Sequence, residues 1–77
     1  MTKYVVIEVA DREINELIFG NINDAKDCLR EAYMEICYDY KLNLNDENEC
    51  WIGDDSMIAY ANKNSGCYNW DWKIIEV

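Results

Sequence analysis

The sequence contains no histidine and no proline, and only three glycines in 77 residues. It has seven basic residues against sixteen acidic ones. Without histidine it lacks the commonest general base and metal ligand near neutral pH. Without proline it has no rigid linker and no cis-proline turn. It contains no Gly-rich phosphate-binding loop. The formal charge of −9 argues against direct binding of a nucleic-acid backbone. No window reaches the roughly 18 apolar residues that a membrane span needs. Near the start, only residues 4–7 form an apolar run before Glu8 interrupts it, too short for a signal peptide. A cytoplasmic protein is therefore expected.

What is present is a globular composition. Half the chain is apolar (51%), which excludes a disordered acidic tail. Three Trp, six Tyr and one Phe supply anchors for a small core. A chain of this length buries roughly 60–65% of its unfolded surface, which leaves little room for a deep pocket. Residues 1–77 are read as one α+β domain.

Four cysteines are present: Cys28, Cys37, Cys50 and Cys67. None has C-x-x-C spacing, so neither zinc nor thioredoxin chemistry is signalled. Two bridges would fit a small secreted chain; free thiols fit a cytosolic one. A small redox or metal module built on these thiols is a third-ranked reading.

Residues 3–9 read as a strand, because Tyr4-Val5-Val6-Ile7 is aromatic and β-branched. Its continuous apolar character predicts burial on both faces and a central place in a sheet. Residues 10–20 are ambiguous: Asp11-Arg12 fits a turn, and residues 14–19 fit either a second strand or a loop. Residues 21–43 carry apolar side chains at Ala25, Cys28, Leu29, Ala32, Tyr33, Ile36, Cys37 and Tyr40. That spacing predicts a long amphipathic helix with Asn21 as N-cap, Asp24 at N3 and Lys41 at the far end. On its buried stripe, Cys28 and Cys37 fall at opposite edges. Three further strands are expected at 49–53, 56–61 and 67–77, with the first strand pairing with the last. Tyr68, Trp70, Trp72 and Ile74 share one face by period two and are expected beneath the helix, opposite Tyr33, Ile36 and Tyr40. The fold class is thus an antiparallel sheet of three to five strands with one long helix on one face.

No catalytic constellation is visible, so an enzyme is not expected. Asn43-x-Asn45-x-Glu47-x-Glu49 alternates oxygen ligands, but it lacks the central glycine and the closing glutamate of a calcium loop. Neither a metal nor a cofactor is expected. Two surfaces are candidates for partner binding. On the polar side of the helix, Met34 and Tyr38 form an i, i+4 pair beside Asp27, Glu31 and Glu35, flanked by Arg30 and Lys41. An apolar pair ringed by acids suits an interface anchor, although singly exposed apolar residues are normal. The second surface is the acidic stretch Asp46, Glu47, Glu49, Asp54 and Asp55, which contains no base. It would attract basic surfaces or simply keep the protein soluble.

Phe19 leading into a capped helix with Ala25, then Ala59-Tyr60-Ala61-Asn62, then Tyr68-Asn69-Trp70-Asp71-Trp72-Lys73-Ile74 resemble a group of small acidic proteins from gut-type bacteria, their phages and mobile elements. The resemblance covers about two-thirds of the chain and lends no activity, so no functional residue transfers. It implies a bacterial or phage setting. There, small acidic single-domain proteins include inhibitors of host defence nucleases, anti-CRISPR proteins among them, an analogy of size and charge. The leading expectation is a non-enzymatic inhibitor that occupies the basic surface of a nucleic-acid-processing partner. The alternative is a structural or assembly module of a phage or mobile element that works as a homodimer, through a sheet edge or the helix face.

Overall fold

In the computed structural model, residues 2–10, 12–63 and 68–77 are described. The elements run β1 (Tyr4–Ala10), β2 (Glu13–Phe19), α1 (Ile22–Asp39), β3 (Cys50–Ile52), β4 (Ile58–Lys63) and β5 (Tyr68–Glu76). The strands form one antiparallel sheet in the order β2-β1-β5-β4-β3. The expected fold class is therefore the observed one, and β1 does pair with β5, with Val6 opposite Ile74. The ambiguity over residues 10–20 resolves as a hairpin. Ala10 pairs with Glu13, and Arg12 takes a left-handed φ of 73° in the two-residue connection. Such tight connections favour positive φ because it matches the twist of the strands.

Side chains alternate across the sheet. One face carries Val6, Ala59, Ala61, Trp70, Trp72 and Ile74, all buried. The helix lays Ala25, Leu29, Tyr33 and Cys37 on that face. These four recur every fourth residue, a narrower stripe than the eight apolar positions suggested. Cys37 therefore lies on the buried line rather than at its edge, and Cys28 is the half-buried member. Tyr33 meets Trp72 edge-on, with ring centroids 6.1 Å apart, a geometry that suits the aromatic quadrupoles. Tyr40 packs on Trp70 at 4.6 Å. Tyr68, expected under the helix, stays exposed at the end of the stripe and touches Tyr40 and Trp70 by its ring.

Trp72 is 1% exposed, so its indole N–H needs a partner. It donates to Glu8 Oε2 at 2.6 Å. Glu8 sits opposite Trp72 in the β1–β5 ladder, and its other oxygen accepts from Asn15 Nδ2 at 3.4 Å. The one acid that interrupts the apolar run of β1 thus spans three neighbouring strands.

The expectation that β1 is covered on both faces is met only in part. Val6 is buried beneath α1 and Val5 is buried on the opposite face, but there Ile7 is only half-buried and Val9 is exposed. The described residues form one helix, and it lies on the Val6 side.

The helix starts as expected. Asn21 accepts from the N–H of Asn23 at 2.7 Å, and Asp24 lies in the first turn. It ends at Asp39, four residues before the expected boundary. The N–H of Lys41 bonds the carbonyl of Tyr38, and the N–H of Leu42 bonds that of Cys37. This pairing is a Schellman motif, in which the residue at Lys41 must adopt a left-handed conformation. Lys41 does so, with φ 53°, although glycine adopts it at lower cost. Lys41→Gly is expected to stabilise the fold by about 1 kcal/mol. A urea titration checks this; an unchanged or lowered midpoint would show that the lysine side chain compensates for its backbone strain.

Candidate functional site

The Schellman ending turns the chain back against the helix. It buries Leu42 and brings Leu44 beside the last two turns. Met34, Cys37, Tyr38, Lys41, Leu42 and Leu44 together line a groove of about 410 Å³ with mostly apolar walls. Tyr38 is 85% exposed, Leu44 55% and Met34 49%. The expected Met34/Tyr38 pair is therefore present at the surface, enlarged by Leu42 and Leu44. Leu44 carries no periodic signal because it lies in a loop, and Leu42, four residues after Tyr38, joins the groove through the turn that ends the helix.

Glu31 and Glu35 stand one turn from Met34 and Tyr38 on the same helix. Both are exposed. Asp27 and Arg30 pair with each other, so their charges largely cancel locally. Lys41 is the cation that lines the groove among the described residues.

The acidic stretch does not form one patch. Asp46, Glu47 and Glu49 precede β3, whereas Asp54 and Asp55 follow it. A three-residue strand separates them by about 10 Å or more. The first group begins two residues beyond Leu44, which lines the groove. Several of its side chains already hold the backbone: Asp46 accepts from Asn48 N at 2.9 Å, and Glu49 accepts from Asn43 N at 3.3 Å. At the far end, Asp55 accepts from Met57 N at 3.1 Å, which is turn chemistry. The structure thus brings Met34, Tyr38, Glu31 and Glu35 together with the start of the loop, and leaves Asp54 and Asp55 apart.

A second surface had no place in the sequence reading. The sheet face away from α1 carries Ile14 and Ile18 of β2, Ile7 and Val9 of β1, Ile58 and Tyr60 of β4, and Trp51 of β3, as the ladder registers require. Ile14 is 67% exposed and Ile18 65%. Trp51 and Tyr60 stack there at 5.9 Å. A shallow depression of about 190 Å³ lies between β4 and β5, lined by Ile58, Tyr60, Asp71 and Lys73 among others.

Cys28, Cys37 and Cys50 are free thiols; Cys67 lies outside the described residues. Cys37 and Cys50 are buried beside Tyr33. Among the described residues no three metal-ligating side chains converge. No helix among them is long and apolar enough to cross a membrane.

Comparison with protein-family models, curated proteins and solved structures finds no match to this chain. The functional reading therefore rests on its own residues.

Burial raises the Cys37 thiol from 9.0 to about 11, reinforced by Cys50. The Tyr33 phenol is raised too, for the same first reason. In the unfolded chain these groups ionise at lower pH than in the folded one. The contribution of Cys37 to stability is therefore complete below pH 9 and is lost as pH rises through about 11, while that of Tyr33 is lost only at higher pH. The urea midpoint is expected to fall across that interval, and to fall less in Cys37→Ala. A midpoint that stays level from pH 8.5 to 11 (about the range of the shift) would contradict a buried neutral thiol.

Proposed function

We propose that the protein is a non-enzymatic binding module whose helix-end groove docks a basic segment of a protein partner. The observation that carries this reading is the exposure of Tyr38 and Met34 together with Leu44 around one groove. Large side chains kept in water on a small domain are costly unless something covers them. A Tyr beside a flexible Met also suits an anchor that must adapt to its partner.

Charge supports the sign of the partner. Glu31 and Glu35 flank the anchor, the loop carboxylates begin beside it, and the chain as a whole carries −9. Such a field steers a basic, amphipathic segment and orients it before the apolar contacts form. Nucleic-acid-processing proteins present basic surfaces of this kind, and occupying one would exclude nucleic acid from it. The separation of Asp54 and Asp55 from the groove argues for a local anchor rather than a row of carboxylates that copies a phosphate backbone.

The test uses an amphipathic Leu/Lys helical peptide as probe, with a Leu/Gln peptide of the same pattern as control. The Lys peptide is expected to bind, to weaken about tenfold or more between low and high salt, and to lose binding on Tyr38→Glu. Asp54→Lys should change affinity by less than about threefold, because that residue is remote and screened. Equal binding of both peptides, or binding that ignores Tyr38→Glu, would refute the reading.

A further inference from the structure

We infer that the open face of the sheet is covered in solution by a second copy of this chain, packed face to face about a two-fold axis that crosses β5. The inference is independent of the helix-end groove, which lies on the other side of the sheet.

The sequence pattern of the strands is the first argument. Tyr4-Val5-Val6-Ile7 is the composition of a strand covered on both faces. Among the described residues α1 covers one face, and of the three apolar β1 residues opposite only Val5 is buried. On the other, Ile14 and Ile18 add two β-branched residues that remain more than half exposed on the edge strand. A sheet face that meets only water alternates apolar with polar residues; in β1 this face is apolar at Val5, Ile7 and Val9.

Charge selects the occupant. In a chain of −9, the outward positions of the five strands carry only Glu16 and Asp71 as acids, with Lys73 as a base. A basic partner finds little to hold there. A second copy meets the least negative side of the molecule, so the repulsion between two acidic chains is smallest in this approach. Asp71 and Lys73 stand two residues apart on the same face of the middle strand, and both are exposed. A two-fold axis lying between the sheets and crossing β5 at the level of Trp72 sets Asp71 of each copy opposite Lys73 of the other. That reciprocity is what an isologous contact requires. The same axis stacks each strand over its own equivalent, so Ile7 stands over Val9 and Ile58 over Tyr60 of the other copy, while on the edge strand Ile14 stands over Glu16. Sheets packed in this way lie about 10 Å apart, within reach of a lysine and an aspartate.

Area is adequate. Five strands about 4.8 Å apart, with the seven paired residues of β1 and β5 along them, give a flat footprint on the order of 500 Å². Side chains standing off the sheet raise the accessible area towards the roughly 800 Å² per partner of a stable interface. The depression beside Ile58 gives a protruding side chain of the other copy a place to enter.

The test is molar mass by light scattering across a concentration series, at moderate salt so that the global repulsion is screened, with far-UV circular dichroism to confirm that each variant folds. The wild-type chain is expected to reach twice its monomer mass. Lys73→Asp, which sets aspartate against aspartate, is expected to weaken the dimer at least about tenfold. The double variant Asp71→Lys/Lys73→Asp should restore it. Should Lys73→Asp fail to fold, Ile14→Glu on the exposed edge strand, which sets a carboxylate against Glu16 of the other copy, gives the same comparison and should weaken the dimer. Tyr38→Glu should leave the dimer intact. A single-chain mass throughout would overturn the inference. So would a dimer indifferent to Lys73→Asp and Ile14→Glu, which would place the contact at a sheet edge or on the helix. A dimer lost on Lys73→Asp but not restored in the double variant would overturn the proposed axis.

Discussion

One helix has to cover a sheet of five strands, and it cannot cover both sides. An α-helix with its side chains is about 10–12 Å across, while five strands span about 24 Å. The consequences run through the molecule. All the fully buried large side chains, Trp72, Leu29, Val6 and Cys50, belong to the helix-facing layer. Even on that side β2 extends beyond the helix, and Leu17 remains exposed. The far side of the sheet receives no cover from any described element. Its apolar content is therefore only partly buried by the folding of a single chain: Val5 is buried, while Ile14 and Ile18 stay in water.

The two ends of the helix show how local sequence chemistry sets the functional surface. At the start, Asn21 caps the chain and fixes where the first turn meets the sheet. At the end, the Schellman bonds of Lys41 and Leu42 halt the helix at Asp39 and fold the following residues back. If the helix had run to residue 43, Leu42 would stand one turn beyond Tyr38 along the helix rather than fold back to be buried beside Cys37. The groove exists because the helix stops early, and it stops with a lysine in a position that glycine fills more cheaply. Local strain of this kind tends to be retained where the geometry it enforces is used. The two surfaces differ in character. The groove is small, adaptable and set among carboxylates; the open sheet face is broad, rigid and nearly neutral.

The periodic parts of the fold were legible in the sequence. The helix cap, its buried line, the face shared by Trp70, Trp72 and Ile74, and the pairing of the first strand with the last all follow from spacing and residue type. Three things were not. Residues 14–19 are too short a run to separate strand from loop by pattern, because only the ladder with β1 decides it. The double-sided character of β1 predicted a cover that the described residues supply only at Val5, since a strand pattern records that burial happens and not what supplies it. The acidic stretch looked contiguous because its residues are close in number, yet β3 runs between Glu49 and Asp54 and carries them apart. Of the candidate site, Met34, Tyr38, Glu31 and Glu35 came from helical spacing. Leu42 and Leu44 entered only through the hydrogen bonds that end the helix.

The central claim is that this small acidic domain has two working sides, and that the open sheet face meets its own kind while the groove stays free. The most direct measurement is the accessibility of isoleucine, leucine and methionine methyl groups to a soluble paramagnetic probe by NMR, recorded at low and high protein concentration. The account predicts that Ile14 and Ile18 become protected on concentrating, while Met34 and Leu44 remain accessible. If Ile14 and Ile18 stay open to the probe at every concentration, or if Met34 and Leu44 are the ones that close, the assignment of the two faces is wrong.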